Sequence, residues 1–527
     1  MTQRQRSLVG GISILGVAGL ICKVVGVLYL IPLANLIGPE GLGVYNQVFP
    51  SYNLMLTISS AGLPVAVSRM VANRLARGQV RNSGRVFRIS LALLGVLGLV
   101  STLLMLLFSG SFAQATGTLE SKMGFMAIAP SLLLVCVMSA FRGYMQGQRR
   151  MWPTAVSQLI EQVGKVAVAL PLAHAFTLKG GYAYGVAGAL LGTSLAEAAA
   201  LLYMYADYLF VRPGIRRLEA RDESVPEGRR SISRELLFTA VPITIGACIV
   251  PLASTVDSFM LVRMMKAYLP EQEALSRYGI YVGLVISLIN VPTALAMAMS
   301  SNLVPSISAK RAQGDAPGIR RDAAAGLRLA SVIGLPSSVG MSLLAEPILT
   351  LLFHRRYSPE MLRLGGQLLS VSAMTIAVFT LVQATSGILQ GLYRQRIPMY
   401  TLFLGVVVKI IFNYSAVQFP AVNIFGAPWA SLACYLISGG LNLYFVARHA
   451  LMKIDWMDFL LRPAAATLVM AVPVFALSLW LSGPLRRSWP VMLLVMALAA
   501  VLYFAAAFKI GALKRSDLPA RFRKGAI

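Results

Sequence analysis

Apolar residues fall along this chain in fourteen long runs, near 8–31, 43–70, 86–108, 123–145, 154–176, 182–211, 236–262, 278–303, 326–353, 364–391, 398–418, 424–447, 461–481 and 489–510. Each is close to the length of about 20 residues that an α-helix needs to cross the hydrocarbon core of a bilayer. None alternates with the period of two expected of a barrel strand. The runs therefore predict helices, which satisfy their backbone groups internally where water is absent. The first run follows a short basic segment, residues 1–7 with Arg4 and Arg6, and continues to about residue 37. That is too long for the apolar core of a secretory signal, and no convincing small-x-small cleavage site accompanies it, so it reads as a retained first span.

The pattern repeats. Gly143-Tyr144-Met145-Gln146-Gly147 followed by Lys165 recurs as Gly387-Ile388-Leu389-Gln390-Gly391 followed by Lys409; each Lys lies 22 residues past its first Gly and the copies are 244 residues apart. Gly43-Val44-Tyr45 recurs as Gly279-Ile280-Tyr281, and Ala76-Arg77-Gly78 as Ala312-Gln313-Gly314, both at an offset of 236. The expected fold is an all-α polytopic membrane protein of about 14 transmembrane helices, with two pseudo-symmetric six-helix lobes and two extra C-terminal helices. Residues 1–211 form the N-lobe, 212–235 a linker, 236–450 the C-lobe, and 451–527 the last two spans with a basic tail. An even number of spans per half makes the repeats parallel, the plan of several transporters.

Composition agrees. Charged residues make up 13% of the chain and hydrophobic ones 57%, whereas a soluble protein carries about 25% charged residues. No soluble catalytic domain is left over, since the longest polar stretch, roughly 212–235, is too short to fold alone. Cys22, Cys136, Cys248 and Cys434 each fall inside an apolar run, and His174, His354 and His449 are scattered, so no metal-site spacing appears. Lys and Arg number 47 against 20 Asp and Glu. Thirty of the 47 lie in residues 1–7, 73–88, 146–153, 212–235, 309–325, 392–397, 448–462 and 511–527, and about ten in the alternate loops. This threefold bias places both termini in the cytoplasm. It also accounts for most of the +27 net charge, so nucleic acid is not needed to explain it.

Charges inside the spans are the candidates for chemistry, because each costs about 2.5–3.5 kcal/mol at mid-bilayer on insertion scales. Lys23 lies on a lane with Gly16, Gly19 and Gly26 in the first span. The fifth span carries Gln158, Glu161, Gln162 and Lys165, with Glu161 and Lys165 spaced to pair across one turn. Lys409, the repeat mate of Lys165, has Gly405 in place of that acid and Asn413 one turn on. The second span shows a polar lane of Asn46, Asn53, Thr57, Ser60 and Ser68, and its mate carries Asn290, Thr293 and Ser300. Such lanes either face a wet cavity or bond helix to helix. Arg69 and Arg142 lie near cytoplasmic ends, where snorkelling competes with a binding role. Asp257, Glu197 and Glu346 are candidate acids for binding a coupling ion or balancing charge. No nucleophile constellation, P-loop or nucleotide fingerprint appears, so no catalytic residue is expected.

Three stretches carry a family likeness: Gly38-Pro39-Glu40-Gly41-Leu42-Gly43-Val44-Tyr45, Gly62-Leu63-Pro64-Val65-Ala66-Val67-Ser68-Arg69, and Phe141-Arg142-Gly143-Tyr144-Met145-Gln146-Gly147 running into Pro153 and Ser157-Gln158-Leu159-Ile160-Glu161-Gln162. Over about residues 8–450 the chain resembles the multidrug/oligosaccharidyl-lipid/polysaccharide (MOP) flippase superfamily, in the branch of stage V sporulation protein B and lipid II flippase-like proteins. The resemblance implies movement of undecaprenyl-pyrophosphate-linked sugars across the cytoplasmic membrane by alternating access, with lipid II-type peptidoglycan precursors as the leading cargo. Relatives commonly carry Arg where this chain has Lys23 and Lys165, so a bidentate grip on phosphate is weakened here.

The joint expectation is a flippase whose Lys23, Lys165 and Lys409 attract the pyrophosphate, with Arg69, Arg142, Asn53, Thr57, Asn290 and Asn413 as further substrate contacts. Glu161, Asp257 and Glu197 would balance charge or bind a coupling ion. No metal or cofactor is expected, an ion gradient or the membrane potential being the energy source. Expected partners are the anionic lipid-linked sugar, the membrane and the cell-wall synthesis machinery. The alternatives are a cation-coupled multidrug exporter of the same fold and, behind it, a membrane glycosyltransferase or polymerase, which the short external loops disfavour.

Overall fold

The computed structural model describes residues 3–513 apart from 482, 484, 486 and 487, with side chains from residue 18 onward except those of 20, 23 and 27. All regular structure among these residues is helical. In chain order the helices are α1 Gln3–Ser60, α2 Leu63–Ala76, α3 Val80–Leu107, α4 Ser109–Thr116, α5 Ser121–Gly147, α6 Trp152–Gly164, α7 Leu170–Ala220, α8 Arg229–Met265 and α9 Glu271–Tyr278. Then follow α10 Ser287–Ala312, α11 Ala316–Leu343, α12 Ala345–Phe353, α13 Pro359–Gly391, α14 Arg396–Val417, α15 Gly426–His449, α16 Arg462–Trp480 and α17 Trp489–Ile510.

Twelve helical runs among the described residues are long and apolar enough to cross a membrane. Two of them are doubled. The run Val24–Ala76 breaks at Gly38, whose φ of 74° lies in the left-handed region that glycine tolerates, and Trp152–Ala220 breaks at Gly180 and Gly181, the latter with φ 78°. Each break falls between two of the apolar runs read from the sequence, 8–31 and 43–70 in the first case and 154–176 and 182–211 in the second.

The chain divides into two compact units, Met1–Gly279 and Ile280–Ile527. This division by packing falls later than the linker that separates the sequence repeats: α8 and α9 group with the first unit. The physical reason lies at Gly62, where a Cβ would stand 2.2 Å from the Ala240 carbonyl oxygen of α8. The Gly62 amide also donates to Thr244 Oγ1 at 3.1 Å. Within this unit Phe87, Phe141, Tyr144 and Tyr208 form an aromatic cluster, with Phe87 stacked on Tyr144 at 4.4 Å. In the second unit, α16 and α17 pack on α11, where Tyr503 donates to the Val332 carbonyl at 2.7 Å and Arg328 meets Asp458 at 3.5 Å.

The repeated Gly-x-x-x-Gly motif is a packing device in both units. On α5, a Cβ at Gly143 would lie 2.8 Å from Pro64 O, and one at Gly147 2.7 Å from Val71 Cβ, so the glycines let α2 approach. On α13, Gly387 and Gly391 stand in the same way against Ser300 Oγ (2.6 Å) and Ile307 Cβ (2.8 Å) of α10. Ser300 lies 236 residues after Pro64, and Ile307 236 after Val71, the offset already found in the sequence. The duplication is thus preserved in contacts as well as letters. At the same offset, Gly43 and Gly279 meet directly, a Cβ on Gly279 reaching 2.6 Å from Gly43 N.

Candidate functional site

The charged residues of the fifth span converge in the first unit. Pro153 opens the first turn of α6, a position that needs no N–H donor. The helix then presents Ser157, Gln158, Glu161, Gln162 and Lys165 along one side. Opposite stands Arg142, from the last turns of α5. Its Nη2 reaches Glu161 Oε1 at 2.6 Å, and its Nε and Nη2 donate to Ser157 Oγ at 3.0 and 2.9 Å. Ser157 spends its own hydrogen on the Thr154 carbonyl at 2.8 Å, which leaves its oxygen free to accept from the guanidinium. Both members of the ion pair are largely buried, with side chains 15% and 16% exposed.

This arrangement differs from the one the spacing suggests. Glu161 is taken by Arg142 on another helix, not by Lys165 one turn away. Lys165 starts a π-helical turn, Lys165–Ala169, between α6 and α7. Its half-buried side chain closes no ion pair or hydrogen bond among the described residues. π-turns recur at functional sites, since one wide turn rotates the side chains around it. Small residues seat this turn on the second half of α7: a Cβ at Gly164 would meet Ala196 Cβ at 2.5 Å, and one at Gly192 would meet Ala169 Cα at 2.3 Å.

Next to Ala196 on that seam, Glu197 is 5% exposed. It accepts from Tyr52 of α1 at 3.3 Å and from Ser131 of α5, and the two hydroxyls lie 2.6 Å apart. It forms no ion pair among the described residues; Lys165 and Glu161 are the charged groups whose field reaches it. The same field, from Glu161, Arg142 and Lys165, reaches Cys22 on α1. A Cβ at Gly26, one turn further on, would lie 3.7 Å from Gln162 Oε1. The oxygen of Gln158 is buried and accepts no hydrogen bond among the described residues. Thus α1, α5, α6 and α7 gather a direct Arg–Glu pair, an ammonium without a direct ion-pair partner among the described residues, a hydroxyl-held carboxylate and an unsatisfied amide oxygen. Such a set can bind a polar, anionic group inside an apolar body.

The remaining expected residues are dispersed. The side chain of Lys23 lies outside the described residues. Arg69 is exposed on α2. In the polar lane of α1, Asn46 and Ser60 bond back to the Leu42 and Leu56 carbonyls at 2.7 and 2.8 Å, whereas Asn53 and Thr57 are half-buried with no side-chain hydrogen bond among the described residues. Asp257 is half-buried on α8, which groups by packing with the unit that contains α1. In the second unit Lys409 is half-buried and Asn413 buried on α14, Asn290 is exposed on α10, and Glu346 opens α12 with its Cβ against Gly366. Sequence reasoning missed Tyr52 and Ser131, whose hydroxyls meet Glu197 only through helix packing. It also missed the π-turn, for which Gly164 is the one local sign.

A family model described as polysaccharide biosynthesis protein matches residues 8–310, and a MatE model matches residues 242–415. Stage V sporulation protein B of Bacillus subtilis (strain 168) is 27% identical over 426 residues, 80% of this chain and 80% of that protein. Lipid II flippase MurJ of the same organism is 24% identical across 98% of each chain. Among solved structures, an inward-facing multidrug resistance MATE family transporter of the MOP superfamily has a TM-score of 0.68 at 18% identity, over 81% of this chain and 94% of that one. That last likeness is one of fold.

Proposed function

This chain belongs to the polysaccharide biosynthesis protein family, within the MOP flippase superfamily, and on that premise we propose that it carries an undecaprenyl-pyrophosphate-linked sugar across the bacterial cytoplasmic membrane. The leading cargo is a lipid II-type peptidoglycan precursor. The observation that carries the reading is Lys165. Its sequence neighbour Glu161 is committed to Arg142, so its ammonium sits half-buried within a membrane span and closes no direct ion pair among the described residues, with the Glu197 carboxyl near enough only for its field to be felt. A charge without a direct partner there is costly, up to about 2.5–3.5 kcal/mol at mid-bilayer. A pyrophosphate supplies the missing partner, and Asn53, Thr57 and Gln158 offer unsatisfied polar groups to its sugar. The polyprenyl tail stays in lipid. Both termini face the cytoplasm in this reading, and Glu197 takes part in coupling to an ion gradient.

The test is a flipping assay in proteoliposomes with labelled lipid II, with and without ion gradients. Lys165→Ala abolishes transport, whereas Lys165→Arg retains it; Lys23→Ala and Lys409→Ala each reduce it. Unchanged flipping by Lys165→Ala would overturn the assignment. The MatE match over residues 242–415 favours one second reading, a cation-coupled multidrug exporter. Drug-resistance assays on cells expressing the chain separate the two.

A further inference from the structure

The segment joining α7 to α8 has sorted its charges. Between Glu219 and Glu235 there are five carboxylates, and three are committed inward. Asp222 accepts from the Arg81 and Ser224 amides at 2.7 and 2.8 Å. Glu227 and Glu235 both meet the buried guanidinium of Arg74 on α2, at 2.6 and 2.7 Å. Asn82 and Arg85 of α3 fasten the same strap through the Val225 and Glu227 backbone, at 3.0 and 2.6 Å. The arginines are left on the outside. Arg230 and Arg234, one turn apart on α8, are exposed and form no ion pair among the described residues.

Directly below them the same helical face turns apolar. Arg234 follows Arg230 by four, Leu237 and Phe238 follow Arg234 by three and four, and Val241 follows these two by four and three, so they share one stripe. Phe238 is 84% exposed, Val241 48% and Leu237 42%. These residues, with Ser231, Ser233 and Pro242, line an open groove of about 960 Å³ along α8. From Arg230 to Val241 the helix rises roughly 17 Å at about 1.5 Å per residue. That spans about one leaflet of a hydrocarbon core of about 30 Å.

We propose that this groove binds an anionic phospholipid of the surrounding leaflet, its phosphate on Arg230 and Arg234 and an acyl chain along Leu237, Phe238 and Val241. Charge complementarity selects the headgroup, because three of the five nearby acids, Glu235 on the same helix among them, are engaged by Arg74 and the Arg81 and Ser224 amides, and neither Arg230 nor Arg234 pairs with an acid among the described residues. The apolar lower stripe selects a lipid over a soluble phosphate. Basic pockets at the cytoplasmic level of membrane helices hold anionic headgroups on the same physical grounds. The site is separate from the Arg142–Lys165 cluster, and the inference goes beyond the transport reading.

The test is retention of phosphatidylglycerol against phosphatidylcholine by the purified full chain in mixed-lipid nanodiscs, read by native mass spectrometry. Phosphatidylglycerol is retained selectively. Arg230→Gln with Arg234→Gln weakens that retention about 30-fold, from the loss of two interfacial charges. Arg230→Lys with Arg234→Lys keeps it within a few-fold, which also covers the case in which the glutamine variant does not fold. Arg216→Gln with Arg217→Gln, removing equal charge from the end of α7, leaves it unchanged, and Phe238→Ala weakens both lipids. Three results overturn the proposal: no preference between the two lipids, equal loss in the Arg216/Arg217 variant, or retention of a polyprenyl pyrophosphate in place of phosphatidylglycerol at the same residues.

Discussion

Replacing Glu161 by Gln probes the interaction on which the site rests. Its carboxylate lies 2.6 Å from Arg142 Nη2, with side chains 16% and 15% exposed. Removing one partner of a fully buried ion pair costs about 3–5 kcal/mol, because the other charge stays behind uncompensated. Here the guanidinium keeps two contacts to Ser157 Oγ, at 3.0 and 2.9 Å, and retains some exposure. The expected loss for Glu161→Gln is therefore about 2–3 kcal/mol. Arg142→Gln strands the carboxylate and costs a similar amount. The double variant recovers much of the loss, giving a coupling energy of about 2 kcal/mol. The parallel cycle between Glu161 and Lys165 gives a coupling below about 0.5 kcal/mol, the limit for independent sites. Both cycles are measured by SDS-driven unfolding in mixed micelles. A large Glu161–Lys165 coupling with a negligible Arg142–Glu161 coupling refutes the reasoning, since Lys165 would then have a partner and no need of a ligand.

The close glycine contacts predict sharp position dependence. Gly143→Ala and Gly279→Ala press a Cβ onto backbone atoms at 2.8 and 2.4 Å, and each lowers stability by about 1–3 kcal/mol. Gly95→Ala, where nothing lies within 4 Å, is neutral or stabilising by up to about 1 kcal/mol in the same unfolding assay. At Glu197, Ser131→Ala with Tyr52→Phe strips both hydroxyl donors from a buried carboxyl and lowers stability by about 1–3 kcal/mol. The strap has a pH signature. The Arg81 and Ser224 amides hold the Asp222 carboxyl below its ordinary range. Its contribution is thus fully present above the ordinary carboxylate pKa and is lost as pH falls through the lowered one. Limited proteolysis of residues 221–228 accelerates across that acid window, and Asp222→Asn is cleaved rapidly at all pH values.

The helical membrane fold and its duplication were legible in the letters because their determinants are local or strictly periodic. Run length against bilayer thickness sets the crossings, and the paired Gly-x-x-x-Gly motifs needed only to be recognised as repeats. Their meaning as helix contacts follows from glycine's missing Cβ. The charged centre was legible as a set of residues, Arg142, Glu161, Lys165 and Glu197, but not as a set of partnerships. Glu161 has two arginine or lysine groups within plausible reach, and the helical spacing pointed to Lys165. Only the close packing of α5 beside α6, together with the π-turn that begins at Lys165, puts Arg142 on that carboxylate instead. Likewise Tyr52, Ser131 and Glu197 stand 79 and 66 residues apart along the chain and meet through helix packing alone. The hydrophobic pattern determines that these helices cross a membrane, because each span answers to the lipid by itself. Which side chains neutralise one another depends on distances of an ångström between helices, and those are decided by where small residues let the backbones come close.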